Sequence, residues 1–216
     1  MATRSGPVEA VLFDFGGVYT GSPFGAIDAL GDELGLGPGV LRDLVFGPYD
    51  RDTDHPWHRL ERGELSMGEA VEGILAGAAA RDVTLDIGQV FAKMGSSGGV
   101  RETVVQRTRE LRDRGYRTGL VTNNLAEFRD GWRGLIPVDD LFEVIVDSSE
   151  VGLRKPNPAI YELTLERLGG LAPERAVFLD DFEGNLVAAR NVGMHAILVP
   201  PDPQPALDEL ETLLAG

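Results

Sequence analysis

The sequence predicts an α/β fold: a doubly wound parallel sheet, with a smaller all-helical segment inserted after its first strand. Three observations carry this. Short apolar runs of strand length recur at residues 10–13, 116–121, 144–146, 176–179 and 196–199. From residue 100 onward, stretches with apolar residues at helical spacing separate them, several closed by glycine, and strands alternating with helices build βαβ units whose sheet is covered on both faces. Residues 24–91 interrupt the alternation with helical patterns, frequent glycine and proline, and no convincing strand.

The run 10–13 (AVLF) is too short for a globular helix and is followed by Gly16 and Gly17, so it reads as a buried strand with Asp14 at its carboxyl end. An Asp there either caps a turn or serves chemistry, because ligands of open α/β sheets collect at the carboxyl ends of the strands. Gly21-Ser22-Pro23 breaks the pattern, and residues 26–34 and 40–46 are helical, separated by Gly35, Gly37 and Pro38. The segment 55–65 (HPWHRLERGEL) follows an acidic loop. Ser66 and Glu69 then form a capping-box pattern that starts a helix to about residue 80. A last short segment spans 87–94, and Gly-Ser-Ser-Gly-Gly at 95–99 has the composition of a hinge. The predicted division is therefore a sheet-bearing core from residues 1–22 and 95–216, and a helical cap from residues 23–94.

Residues 100–114 form an amphipathic helix with Val104, Val105 and Leu111 inward, closed by Gly115. The strand 116–121 ends at Thr122-Asn123-Asn124 and is followed by a helix over 125–132. After the strand 144–146, Pro156-Asn157-Pro158 opens a helix over 159–168, stopped by Gly169 and Gly170. The strand 176–179 ends in Asp180-Asp181, a helix runs on to Gly193, and the strand 196–199 leads through prolines to a closing helix over 206–214. His195 reads as a packing residue at the start of that last strand. In a doubly wound sheet, Asp14, Thr122 with Asn123, and Asp180 with Asp181 converge on one crevice, and Lys155 lies in a loop before a helix.

Composition narrows the function. Lys and Arg number 20 against 35 Asp and Glu, a formal charge of -15, which repels a phosphate backbone and speaks against a nucleic-acid partner. An anionic substrate would need a local cation. The absence of cysteine excludes disulfides, cysteine nucleophiles and zinc–thiolate sites, and agrees with a reducing compartment. No apolar run approaches the roughly 20 residues of a membrane span, and residues 1–7 are too short and polar for a signal peptide, so a soluble, cytoplasmic protein without a membrane partner is expected.

The four strand-end motifs resemble, in their order, the signature motifs of the haloacid dehalogenase superfamily, which has a Rossmann-like fold. The phrases FDFGGV, GLVTNN, GLRKPNPAIY and FLDDFEGNLVAARNVGM are most similar to the branch containing the phosphatase domain of epoxide hydrolases and sugar-phosphate phosphatases. The resemblance implies a Mg²⁺-dependent phosphatase acting on a small phosphorylated metabolite, such as a sugar phosphate, through an aspartyl-phosphate. It assigns the nucleophile to Asp14. Mg²⁺ would be held by Asp181, Asp14 and the backbone carbonyl of Gly16, with Asp180 ligating or orienting and Asn185 supporting the metal shell. Lys155 would neutralise charge, and Thr122 and Asn123 would donate hydrogen bonds to the phosphoryl oxygens.

One departure stands out. Relatives usually carry a second Asp two residues after the nucleophile as general acid and base, and this chain has Gly16 there. His55, His58, Asp52 and Asp54 of the helical segment are candidates to supply or relay the proton, and Gly17, His55, His58 and Arg59 are candidate substrate contacts. The mixed charge, imidazole and aromatic character of residues 50–59 would suit a polar substrate. Two other readings accompany the phosphatase. A metal-free 2-haloacid dehalogenase would gain nothing from Asp180 and Asp181 beside Asp14, and a catalytically degenerate phosphate- or protein-binding module is motivated by Gly16.

Overall fold

A computed structural model describes residues 7–96 and 98–216. Five parallel strands make one sheet: β1 (Ala10–Phe13), β2 (Arg117–Thr122), β3 (Val144–Asp147), β4 (Ala176–Asp180) and β5 (His195–Leu198), in the order β3-β2-β1-β4-β5. The chain steps outward from β1 to β3, then crosses back to lay β4 against the other side of β1. The strand order therefore reverses between β1 and β4, and a crevice opens at the carboxyl ends beside such a switch point. In register, Phe13 pairs with both Leu120 and Leu179, so Asp14 and Asp180 leave adjacent strands at the same level.

The alternation of side chains along β1 explains why the sheet is covered twice. Val11 and Phe13 join one apolar cluster with Val104, Val105 and Leu111 of α6 (Glu102–Asp113), while Ala10 and Leu12 join the other. Ile160, Tyr161 and Leu165 of α10 (Pro158–Arg167) and Leu186 of α11 (Glu183–Val192) complete that second cluster. The closing helix α12 (Gln204–Ala215) returns to the first through Leu210.

Between β1 and α6 lie five helices, α1 (Pro23–Glu33), α2 (Val40–Phe46), α3 (Pro56–Glu61), α4 (Met67–Ala79) and α5 (Ile87–Gly95). They enclose a third apolar cluster around Ile27, Leu41, Phe46, Trp57 and Ile74. The capping box at the start of α4 forms as the spacing predicts: Ser66 N–H donates to Glu69 Oε2 at 2.8 Å, and Glu69 N–H donates to Ser66 Oγ at 3.4 Å. The two chain crossings into this helical segment lie side by side. Arg101 N–H donates to the Tyr19 carbonyl at 2.7 Å, and a Cβ on Gly98 would stand 3.7 Å from the backbone of Gly21. Most of the 95–99 hinge lies within the described residues, with Ser97 outside them; the expectation for the amino terminus also falls, apart from Pro7, outside them.

Several boundaries differ from expectation for identifiable reasons. The first helix starts at Pro23 rather than Ala26, because proline is well suited to the first helical position, where its missing N–H costs nothing. The expected helix over 125–132 is a 3₁₀ turn, Ala126–Phe128, followed by α7 (Arg129–Arg133). Asn124 Oδ1 accepts from Leu125 N–H at 2.8 Å and keeps Leu125 extended, so its side chain packs into the apolar cluster of the helical segment. Two four-residue helices, α8 (Val138–Leu141) and α9 (Ser148–Val151), are too short for periodicity to report.

Candidate active site

Asp14 emerges from β1 with its N–H tied to the Leu179 carbonyl of β4 at 2.9 Å, and its Oδ1 accepts from Phe15 N–H at 2.7 Å. The Lys155 ammonium lies 2.7 Å from Asp14 Oδ1 and 2.7 Å from Asp180 Oδ2. Asp180 is fully buried, and its remaining capacity is used by Phe182 N–H at 2.8 Å and the Asn185 amide at 3.0 and 3.1 Å. Asp181 completes the cluster: carboxylate oxygens of Asp14, Asp180 and Asp181 lie within 4.8 Å of one another.

Three carboxylates thus face one ammonium, with Asp14 and Asp180 buried and Asp181 half-buried. Burial pushes the Asp14 carboxyl well above its ordinary range, opposed by Lys155 and reinforced by Asp180 and Asp181. Burial does the same to Asp181, with Asp180 adding to it. Lys155 shows the converse: burial works against its charge, but Asp14 and Asp180 overcome that and hold it above the usual value.

A divalent cation fits the residues present. Its two charges match the surplus of two carboxylates, and Asn185 Oδ1 is buried without a hydrogen-bond partner because its amide nitrogen faces Asp180. Gly17 is part of the same design: with φ +76° it packs its Cα so closely on Asp181 that a Cβ would stand 2.1 Å from the carboxylate carbon. Gly16 is the opposite case. A Cβ there would meet nothing within 4 Å.

Thr122, 2% exposed at the end of β2, lies with Gly16 and Asn123 on the floor of a cavity of about 350 Å³. Its walls come from Phe91, Met94, Phe128 and Trp132. Asn123 sits beside the cluster, but its side chain is spent on the loop that carries Lys155. Its Oδ1 accepts from Lys155 N–H at 2.8 Å, and its Nδ2 donates to the Lys155 carbonyl at 3.0 Å. This pair of bonds makes the Asn123 side chain a clamp that positions Lys155.

The helical-segment candidates are engaged elsewhere. His55 caps α3, accepting at Nδ1 from Trp57 N–H at 3.2 Å. His58 is fully buried and accepts at Nδ1 from Thr53 N–H at 3.0 Å; burial, then the positive charge of Arg154, pushes its imidazole down to about 3, so it is neutral. Arg59 pairs with Glu64 at 3.2 Å, and Asp52 with Arg62. Asp54 is exposed. None of these side chains lines the cavity above Thr122 or the one adjoining it.

Sequence reasoning missed Arg154, the neighbour of Lys155. Its side chain is wholly buried, with Nε 2.6 Å from Glu61 Oε2 of α3 and the guanidinium 4.8 Å from the Tyr49 ring centroid. Glu61 also accepts from Trp57 Nε1 and the Tyr49 hydroxyl, each at 2.9 Å. A buried charged network therefore joins the helical segment to the Lys155 loop. A basic residue beside a motif lysine carries no local signature of such a partner 93 positions away.

Asp14, Lys155, Asp180 and Asp181 meet at the switch point of a parallel sheet as an acid-rich cluster around one ammonium. The sequence profile of the haloacid dehalogenase-like hydrolases matches residues 8–193, and the chain belongs to that family. It is 33% identical over 212 residues to acyl-CoA dehydrogenase family member 10 of Mus musculus, covering 95% of this chain and 19% of that protein. Bifunctional epoxide hydrolase 2 of Rattus norvegicus is 29% identical over 183 residues, covering 79% and 33%. A glyceraldehyde 3-phosphate phosphatase of Methanothermobacter thermautotrophicus is 39% identical over 93 residues, covering 42% and 40%. The chain spans less than half the length of each of these relatives. Among solved structures, a haloacid dehalogenase family enzyme of Bacteroides thetaiotaomicron, in complex with magnesium and inorganic phosphate, shares the fold at a TM-score of 0.61 and 19% identity, covering 90% of this chain and 96% of that one. An L-2-haloacid dehalogenase shares it at 0.63 and 18%, covering 98% and 100%.

Proposed function

We propose that the protein is a Mg²⁺-dependent phosphomonoesterase that dephosphorylates a small phosphorylated metabolite through an aspartyl-phosphate on Asp14. The observation that carries this is the Lys155 ammonium, 2.7 Å from both Asp14 and Asp180 inside a cluster of three carboxylates. A metal-free dehalogenase would leave the carboxylates in excess over Lys155 uncompensated, whereas a divalent cation offsets them. Asp14, Asp181 and the Gly16 carbonyl would hold the metal, with Asp180 and Asn185 fixing the acidic pair and Lys155. When bound, Mg²⁺ supplies charge neutralisation for the incoming phosphate.

The chain's own residues do the rest. Asp14 Oδ1 is held by Lys155 and Phe15 N–H, which aims the other oxygen at the phosphorus. Lys155 stabilises charge as the phosphorus–oxygen bond forms, and the Thr122 hydroxyl donates to a phosphoryl oxygen from the cavity floor. Asn123 holds the Lys155 loop still. The helical segment, entered through two adjacent glycine-rich crossings, acts as the cap that excludes water.

The test is phosphate release from sugar, nucleotide and aryl phosphates, in Mg²⁺ or chelator, with Asp14→Asn as the blank. Mg²⁺-dependent release that disappears in Asp14→Asn is expected. Saturable phosphate binding without turnover would instead mark a binding module, and chloride release from a 2-haloacid in chelator would mark a dehalogenase.

A further inference from the structure

Expelling an alkoxide from phosphorus requires a proton at the departing oxygen, and the cavity beside Asp14 offers none. Above its floor of Gly16, Thr122 and Asn123 its lining contains no carboxylate, imidazole or amine among the described residues. Gly16, two residues beyond the nucleophile, adds no side chain and leaves open space at its Cβ position. Nearby titratable groups are committed elsewhere. Asp181 lines a different cavity, of about 610 Å³. Lys155 is bound to Asp14 and Asp180. The Tyr49 hydroxyl, on an adjoining cavity of about 140 Å³, donates to Glu61, which Arg154 holds in turn.

The same cavity is mainly apolar, with Thr20 and Asn124 as polar side chains above its floor. Phe91, Met94, Phe128 and Trp132 form its walls, and Phe128 is 47% exposed, a large apolar side chain left to solvent on the cavity that Gly16 and Thr122 line. Such a lining favours a flat apolar group over a polyhydroxylated one, which would set hydroxyls against the four apolar side chains. Both observations select the same chemistry: a leaving group that is aromatic, and whose oxygen is stable enough as an anion to leave unprotonated.

We propose that the substrate is the phosphate monoester of an aromatic hydroxyl, its ring seated between Phe91, Met94, Phe128 and Trp132. The inference rests on the phosphatase reading and replaces the polar leaving group expected from residues 50–59. An Asp14 oxygen forms a bond to phosphorus, the phosphorus–aryl oxygen bond breaks, and its electron pair leaves as phenolate, which takes its proton from solvent. Water then attacks the aspartyl-phosphate, its proton passes to solvent, and Asp14 and inorganic phosphate are released.

The experiment compares phenyl, 4-nitrophenyl and 2-naphthyl phosphate with glycerol 3-phosphate and a hexose phosphate in Mg²⁺. Aryl esters are expected to turn over at least about 100-fold faster in kcat/KM than the alkyl esters, the lower end of what a general acid contributes. Gly16→Asp is expected to raise kcat/KM for the alkyl esters about 100-fold and so to narrow the aryl preference. Calorimetric titration of the Asp14→Asn protein reads binding without turnover: 2-naphthyl phosphate binds about tenfold more tightly than glycerol 3-phosphate, and the added substitution Phe128→Ala abolishes that margin. Alkyl esters processed as fast as aryl esters by the unaltered enzyme, or equal binding of the two, would overturn the proposal while leaving the phosphatase reading in place. No turnover of any ester, with or without Gly16→Asp, would overturn both.

Discussion

Arg154→Met removes one member of the buried network between α3 and the Lys155 loop and leaves Glu61 behind. Glu61 is 3% exposed, and Arg154 is its cation, at 2.6 Å. After substitution the carboxylate keeps only the neutral donors Trp57 Nε1 and Tyr49 Oη. Breaking a buried pair by deleting one partner typically costs about 3–5 kcal/mol, because an uncompensated charge stays out of water. The guanidinium over the Tyr49 ring adds roughly 0.5–2 kcal/mol to the loss. Together these come to roughly 3.5–7 kcal/mol, and for a chain of this size about 2–4 °C of melting temperature accompanies each kcal/mol, so a fall of roughly 7–28 °C is expected. Urea unfolding and calorimetry measure it, and the double variant Arg154→Met/Glu61→Gln isolates the cause. Glutamine still accepts from Trp57 and Tyr49 without carrying charge, so the double variant should recover most of the loss. A single variant that loses less than about 1 kcal/mol, or a double variant as unstable as the sum of the two singles, would refute the account of a charge stranded in the interior.

Gly17→Ala places a Cβ against the Asp181 carboxylate at a residue with positive φ, costing about 1–2 kcal/mol in backbone strain alone; Gly16→Ala meets open space and should be nearly neutral. A thermal-shift titration with MgCl₂ should show the metal-dependent rise in the unaltered protein and in Gly16→Ala, and lose it in Gly17→Ala. His58 sets an acid limit on stability. Its imidazole, pushed by burial from an ordinary 6.5 to about 3, binds a proton in the unfolded chain that the folded chain refuses. That contribution is complete above about pH 6.5 and is lost as pH falls towards 3, at about 1.4 kcal/mol per pH step while the difference persists. Urea midpoints from pH 7 to pH 4 should therefore decline more gently in His58→Gln, and parallel curves would remove His58 as the cause.

The chain's local patterns were enough to place the sheet, the run of helices that follows its first strand and the acidic cluster. Apolar runs of strand length, glycine stops and a capping box report on residues near one another in sequence, and Asp14, Lys155, Asp180 and Asp181 stand at element ends that topology brings together whatever the surrounding detail. Tertiary structure alone decided what each group touches. Asn123, legible as a strand-end donor, turns its amide onto the backbone of a residue 32 positions later. His55 and His58, legible as cap imidazoles, are absorbed into the hydrogen bonding of their own helix and loop. Arg154 and Glu61 find each other across the boundary between insertion and core, and four apolar side chains from α5, the 3₁₀ turn and α7 become the wall of one cavity. The physical reason is common to all of these. Periodicity and capping act over a few residues and leave a local trace, whereas burial, pairing and cavity shape depend on which distant surfaces the fold presses together.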